Sequence, residues 1–378
     1  MIRSTLCTYT YNDADLTHGL LDSIADWSVT PDEILVVDDG SLIPFTPKEY
    51  PWPILVMRHA VNQRITKAKS AGLSAASGEV IFSVDCDVRV TADYLERCLE
   101  RLADPSVGMV SGPTGYGGKN DLVSRYLRLF GDVHNMDKNG PVDFIPGNAF
   151  ALRRSLWHEL GGFGGYARDV CEDHALCQVM KNAGYVLYVE PEIRAIQTRV
   201  ISRQAHCRRI WQWCGPALLH AGQRTAADLP RHIMVIFVQP MLQRIEIAVR
   251  VEDLLLTYID ILYVSYVILE FCAGTGRNDP ANARRCQDLA AGFWHGLSKK
   301  LKNSHILYRL LRADMLALGA DLPVPDARPE CVQAWDEVLC FADILDKTNI
   351  LRWLNDEGAA ALLRETEALK TDFSGYAE

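Results

Sequence analysis

A chain of 378 residues with a formal charge of −9 is long enough for two cores at about one domain per 150 residues. Its acidity excludes a general nucleic-acid binder, which needs Lys and Arg clustered over a whole face, and 48% apolar with 23% charged residues excludes a disordered or fibrous chain. Eleven cysteines, an odd number without CxxC pairs, speak against a disulfide framework or zinc knuckle and for reduced, cytosolic thiols.

The segment Ser4 to Asn12 is short and polar-flanked, unlike a signal peptide, and Thr5 to Thr10 within it reads as a strand. A helical pattern over Leu16 to Trp27, strands at Glu33 to Val37 and Ile54 to Arg58, a helix over Ile65 to Ala76 and a buried strand at Val80 to Val84 follow. This alternation predicts a parallel sheet with crossover helices. Asp93 to Leu102 reads as helix, Val107 to Gly118 as glycine-rich turns, Asp121 to Phe130 as helix, and Val142 to Ala151 as a strand broken by Pro146 and Gly147. A helix at Leu156 to Leu160 stops on Gly161 and Gly162; another, Cys171 to Ala183, stops at Gly184 before a strand at Tyr185 to Glu190, because glycine takes the left-handed conformation that ends helices.

From about residue 221 strand signals fade and apolar-faced helices continue to the C-terminus, which predicts domains at 1–220 and 221–378, with Pro323 to Pro329 as a linker. No stretch reads as the roughly 20 uncharged apolar residues of a membrane span; Leu254 to Leu269 comes nearest and carries Asp260. The helices Ile233 to Phe271 fit internal packing first, then a homo-oligomer face, then an in-plane membrane contact. The expected location is the cytoplasm, with a peripheral position on the inner membrane face as the alternative.

Three acidic groups carry chemistry. Asp38-Asp39-Gly40-Ser41 ends a buried strand, the edge where open α/β sheets bind ligands; the alternative is a plain Asp-Gly turn. Asp85-Cys86-Asp87 ends a later strand, where alternation would put both carboxylates on one side, a donor pair suited to Mg²⁺ or Mn²⁺ and a diphosphate. Glu172-Asp173-His174 opens a helix, so a carboxylate there can serve as a base or merely complement the helix dipole; His174 is left out of the metal set. The basic stretch Arg199, Arg203, His206, Arg208 and Arg209 reads as a solvated face or a diphosphate contact, Trp211 and Trp213 as helix packing before acceptor stacking, and Pro146-Gly147-Asn148 as either a turn or an acceptor-side wall.

Thr10-Tyr11-Asn12, the DDGS and DCD motifs, Gly161-Gly162-Phe163 and Glu172-Asp173, in this order over residues 2–215, resemble family 2 glycosyltransferases. The resemblance implies a GT-A (Rossmann-like) α/β nucleotide-diphospho-sugar transferase domain followed by a mainly helical C-terminal region. It further implies Asp39 at the nucleotide base, uracil being the expectation, with Thr10 and Asn12 nearby; Lys69, where the family often has arginine, at base or phosphate; Asp87 as main metal ligand; Asp85 at the metal and at ribose or donor sugar; and Asp173 as catalytic base with Glu172 beside it. The expected activity is inverting, Mn²⁺- or Mg²⁺-dependent transfer from a nucleotide-diphosphate sugar to a hydroxyl of a glycan, lipid-linked or protein acceptor, as in cell-surface glycan biosynthesis. The histidine that the family commonly places beyond the next strand is absent from Ala195-Ile196-Gln197-Thr198. A sugar-nucleotide nucleotidyltransferase would want a glycine-rich cationic loop after the first strand, which Cys7 to Asp15 lacks; a non-catalytic carbohydrate-binding module is the other alternative.

Overall fold

Strand β1 (Ser4–Thr10) is buried along its whole length, and its mixture of Thr, Leu, Cys and Tyr feeds apolar and β-branched groups to both sheet faces, as a strand covered by helices on each side requires. The computed structural model describes residues 2–131, 135, 138–163, 165, 171–220, 229–278, 280–301, 306–320, 322 and 327–364. Helix α1 (Ala14–Ser23), β2 (Glu33–Asp38), β3 (Ile54–Arg58), α2 (Ile65–Ala75) and β4 (Val80–Val84) follow, the four strands running parallel. Then come β5 (Val88–Val90), α3 (Tyr94–Arg101), β6 (Val107–Ser111), β7 (Thr114–Tyr116), α4 (Leu122–Phe130), β8 (Gly140–Val142), β9 (Ala149–Arg153), α5 (Arg154–Glu159), α6 (Glu172–Asn182), β10 (Val186–Val189) and β11 (Ala195–Gln197). Among the described residues the main sheet has the order β3-β2-β1-β4-β9-β6-β10-β8, and a smaller sheet the order β5-β11-β7.

The period of two sorts each strand between two cores. Leu6, Ile34, Val36, Phe82 and Val84 pack with Leu20 and Leu21 of α1 and Tyr94 and Leu95 of α3. Cys7, Tyr9, Leu35, Val37 and Ile81 pack with Ala68 and Leu73 of α2, Trp157 of α5, and Leu176 and Met180 of α6.

The glycine-rich segment expected to turn instead forms β6 and β7. Its glycines allow close approach: a Cβ on Gly108 would lie 2.7 Å from Tyr185 Cβ, and one on Gly112 2.6 Å from Ile193 O. The strand Val142 to Ala151, expected to be broken by Pro146 and Gly147, is the end of β8 and the start of β9 on either side of that break. The three-residue strands β5 and β11 are too short to show a period. Gly161, Gly162 and Gly184 have φ of +72°, +63° and +86°, as the expected helix stops require.

Two compact units are present: 1–119 with 127–200, and 120–126 with 201–378. The division falls at Val200 rather than at residue 220, because α7 (Arg203–His220) is tied into the helical unit. Residues 221–228, where the boundary was expected, and 323–326 of the expected linker lie outside the described residues. The helical unit continues with α8 (Leu229–Ile233), α9 (Gln239–Arg250), α10 (Leu256–Asn278), α11 (Ala283–Lys300), α12 (Ile306–Ala317), α13 (Pro329–Gln333), α14 (Cys340–Lys347) and α15 (Ile350–Trp353). Arg203 grips Asp314 of α12 with Nε–Oδ2 2.6 Å and Nη2–Oδ1 3.0 Å, and Tyr258 OH donates to the same carboxylate at 2.5 Å.

One point departs from the expected lack of any span: Leu256–Arg277 is long and apolar enough to cross a membrane by length and composition, and 83% of its most apolar window is buried within the protein. Its Asp260 is fully buried and accepts from Arg244 Nε at 2.6 Å and Tyr126 OH at 2.9 Å. Burial pushes this carboxyl up to about 6, against the opposing pull of Arg244. Cys7, Cys86, Cys98, Cys177, Cys207 and Cys272 are buried free thiols.

Candidate active site

The parallel strands β1, β2 and β4 end on one edge of the sheet, so Thr10, Asp38-Asp39 and Asp85 emerge together, at the edge where such sheets bind ligands. The two aspartates after β2 have different work. Asp38 is fully buried and accepts from Ser41 N at 2.9 Å, Phe45 N at 3.0 Å and the Arg58 guanidinium. Burial alone would raise its pKa; these donors overcome it and hold the carboxyl below the usual range, so Asp38 shapes the loop. Gly40 has φ +76°, and a Cβ there would lie 2.5 Å from the Val61 carbonyl carbon; only glycine fits.

Asp39 faces the neighbouring loop. Its Oδ1 is held 2.7 Å from His59 Nδ1 and accepts from Gln63 N at 3.0 Å, while its own N donates to Thr10 O at 2.9 Å. Thr10 Oγ1 is buried without a hydrogen-bond partner. Asn12 (φ 57°) is a clasp: its N donates to Ser41 Oγ at 2.9 Å and its Oδ1 accepts from Leu42 N at 2.8 Å. The side-chain carbonyl expected near a nucleotide is thus spent on joining the loops after β1 and β2.

The alternation argument for Asp85 and Asp87 does not hold, because β4 stops at Val84 and the next residues turn, Val88 N donating to Asp85 O at 2.9 Å. The two carboxylates meet different cations: Asp85 Oδ1 lies 3.3 Å from Lys69 Nζ, and Asp87 Oδ2 accepts from Arg199 Nε at 2.7 Å. Burial pushes Asp85 up to about 7; Lys69 opposes the shift, and Asp87 and Glu172 add to it.

Lys69, only 3% exposed, donates to Gly147 O at 2.8 Å and Glu172 Oε1 at 2.9 Å besides facing Asp85. An ammonium has three protons, and three protein acceptors face it. Lys69 and Glu172, expected at the nucleotide, instead form a buried pair beneath the site. Burial would raise the Glu172 pKa, but Lys69 prevails and holds it below the usual range.

Asp173, half-buried in the first turn of α6, accepts from Gly147 N at 3.0 Å and His174 N at 2.8 Å. His174 stacks on Phe144 with ring centroids 4.2 Å apart. The Pro146-Gly147-Asn148 turn is the hub: Gly147 holds Lys69 and Asp173, and Asn148 O accepts from Asp85 N at 2.8 Å. Sequence reasoning left this turn undecided and missed His59; the glycine and the orphan carboxylate pairing partners had no readable period. The basic stretch divides by residue: Arg199 meets Asp87, Arg203 meets Asp314, and Arg209 lies over the Trp213 ring at 4.5 Å.

Among the described residues no group of three or more His, Cys, Asp or Glu side chains is arranged to hold a metal. The pair Asp85 and Asp87 nonetheless fits a magnesium- or manganese-type ion, which takes one or two carboxylates and completes its shell with water and substrate phosphate. Asp85 Oδ1 is buried, makes no hydrogen bond and has only the 3.3 Å ion pair with Lys69 beside it, so it keeps a lone pair that a second cation would use. Because protons compete with metal for Asp85, divalent-ion affinity is expected to fall as pH drops from 8 through about 7 to 6, and Asp85→Asn to flatten that dependence. A pH-independent affinity in calorimetric titration of the unsubstituted chain would remove Asp85 from the metal.

Residues 5–174 match the model of glycosyl transferase family 2. The chain is 28% identical over 169 residues to a pre-mycofactocin glycosyltransferase of Mycobacterium tuberculosis, covering 42% of this chain and 36% of that protein. It is 23% identical over 198 residues to the O-antigen chain rhamnosyltransferase RfbN of Salmonella typhimurium, covering 49% and 62%. The chain thus spans about a third of the first relative and under two thirds of the second. Among solved structures, the mannosyltransferase PcManGT from Pyrobaculum calidifontis in complex with GDP-Man and Mn²⁺ is 18% identical with a TM-score of 0.42, over 91% of this chain and 86% of that one.

Proposed function

We propose that this chain transfers a sugar from a nucleotide-diphosphate donor, read as a UDP-sugar, to a hydroxyl of a glycan, lipid-linked or protein acceptor, with inversion at the anomeric carbon. The observation that carries the reading is that Asp39 and the Asp85–Asp87 turn follow β2 and β4, the two parallel neighbours of β1, with Asp173 joined to that turn through Gly147 and Asn148. The curated relatives named for sugar transfer support it.

Asp39, oriented by His59 and Gln63, receives the base through its other oxygen, with Thr10 beside it. Asp87 and Asp85 would hold Mn²⁺ or Mg²⁺, which when bound neutralises charge on the departing diphosphate. Asp173 accepts the proton of the acceptor hydroxyl as its oxygen attacks. Gly147 N fixes one Asp173 oxygen, which sets the carboxylate's orientation without consuming its charge. The reaction is assigned to the cytoplasm, with peripheral membrane or homo-oligomeric contact reserved for the helical unit.

Asp39→Ala is expected to weaken UDP binding by roughly tenfold, the loss of one charge-assisted hydrogen bond, measured by calorimetric titration. Unchanged UDP affinity would sink the base-binding role.

A further inference from the structure

A diphosphate needs cationic donors, and Lys69 is already engaged, donating to Gly147 O and Glu172 and paired with Asp85 at 3.3 Å. A second cation of the site, half-buried, is Arg199, two residues beyond β11. Its Nε donates to Asp87 at 2.7 Å and its Nη1 to Asp13 at 2.9 Å, while Nη2 has only a 3.9 Å contact with Cys86 Sγ among the contacts described. A guanidinium carries five N–H donors in a planar fork, so its two carboxylate bonds leave donors uncommitted.

The mounting is rigid. Asp13 follows β1 and Asp87 follows β4, so Arg199 spans the loops after two adjacent parallel strands, in the crevice where such sheets take ligands. Thr198 holds Asp87 O through its N at 2.7 Å and its Oγ1 at 2.8 Å, and Tyr116 OH donates to Arg199 O. The two carboxylates stabilise the positive charge and hold the Arg199 pKa above its ordinary value against the effect of burial. A side chain needed only to neutralise Asp87 would not require a second carboxylate on its far side.

We propose that Arg199 is a diphosphate-binding residue, a resident cation that Asp13 and Asp87 orient so that its free Nη protons meet the phosphates of the donor and of the departing nucleoside diphosphate. This rests on the nucleotide-sugar reading above. Its consequence is that the chain retains diphosphate affinity without any divalent ion.

The test is ligand-observed NMR titration of the full chain with uridine, UDP, guanosine and GDP, in EDTA and in excess Mn²⁺. In EDTA the unsubstituted chain is expected to bind a diphosphate more tightly than its nucleoside. Arg199→Met should lose roughly 10- to 100-fold of that diphosphate affinity with nucleoside affinity unchanged, and Arg199→Lys, a point charge without the fork, should fall between. The proposal is overturned if Arg199→Met keeps full diphosphate affinity in EDTA, or if it weakens nucleoside and diphosphate equally, as a purely structural clamp on Asp87 would. It is also overturned if the unsubstituted chain in EDTA binds diphosphate no better than nucleoside. A chain that binds none of the four ligands even with Mn²⁺ overturns the nucleotide-sugar reading itself, and this inference with it.

Discussion

Asp173→Asn is expected to lower turnover by roughly 10²- to 10⁴-fold, the usual worth of a general base, while nucleoside diphosphate binding stays within about twofold. The amide is nearly isosteric, and its carbonyl oxygen can still accept from Gly147 N, so the turn that also holds Lys69 and Asp85 is preserved. What disappears is the basic oxygen. Glu172 is a poor substitute, because its carboxylate is buried against Lys69 at 2.9 Å. Steady-state turnover together with donor titration checks the prediction: a variant with near-normal turnover would take the base role from Asp173, and one that loses donor binding in parallel would show a positioning role instead.

Lys69→Met is expected to be the most destabilising single change in the sheet unit, by about 3–5 kcal/mol, the typical cost of leaving buried charge without its partner. Glu172 and Asp85 lose the cation they pair with, and the Gly147 carbonyl loses its donor. Because Glu172 is held below the ordinary carboxylate range, the stability contributed by this pair is present above about pH 4, the unfolded value, and is lost as pH falls through the lower folded value. Urea denaturation at pH 7 measures the effect, and adding Glu172→Gln should restore part of it by removing the orphaned charge. A loss below about 1 kcal/mol would mean that solvent screens the cluster.

Legibility followed the length and regularity of each signal. β1, β2, β3 and β4 were readable as apolar runs between turn residues, and their parallel pairing carried Thr10, Asp39 and Asp85 to one edge without any contact information. The short strands β5, β7 and β11 were not readable, since three residues show no period, and the glycines of β6 and β7 serve close packing against Tyr185, Ile193 and Ile196 rather than turning. At the site, residue type was legible and partner was not. Asp85 and Asp87 look equivalent in sequence, yet the chain turns between them and hands one to Lys69 and the other to Arg199. Lys69 lies 78 residues from Gly147 and 103 from Glu172 in sequence, a separation that no local pattern encodes. Arg199 was visible only as one member of a basic stretch whose other arginines belong to the helical unit.

The most direct measurement is the identity of the phosphate product when the full chain is incubated with Mn²⁺, a panel of nucleotide sugars and acceptor extracts. Release of nucleoside diphosphate, increased by acceptor and lost in Asp173→Asn, is the predicted result; release of pyrophosphate, the signature of a nucleotidyltransferase, or no release with any donor, as for a carbohydrate-binding module, would contradict sugar transfer.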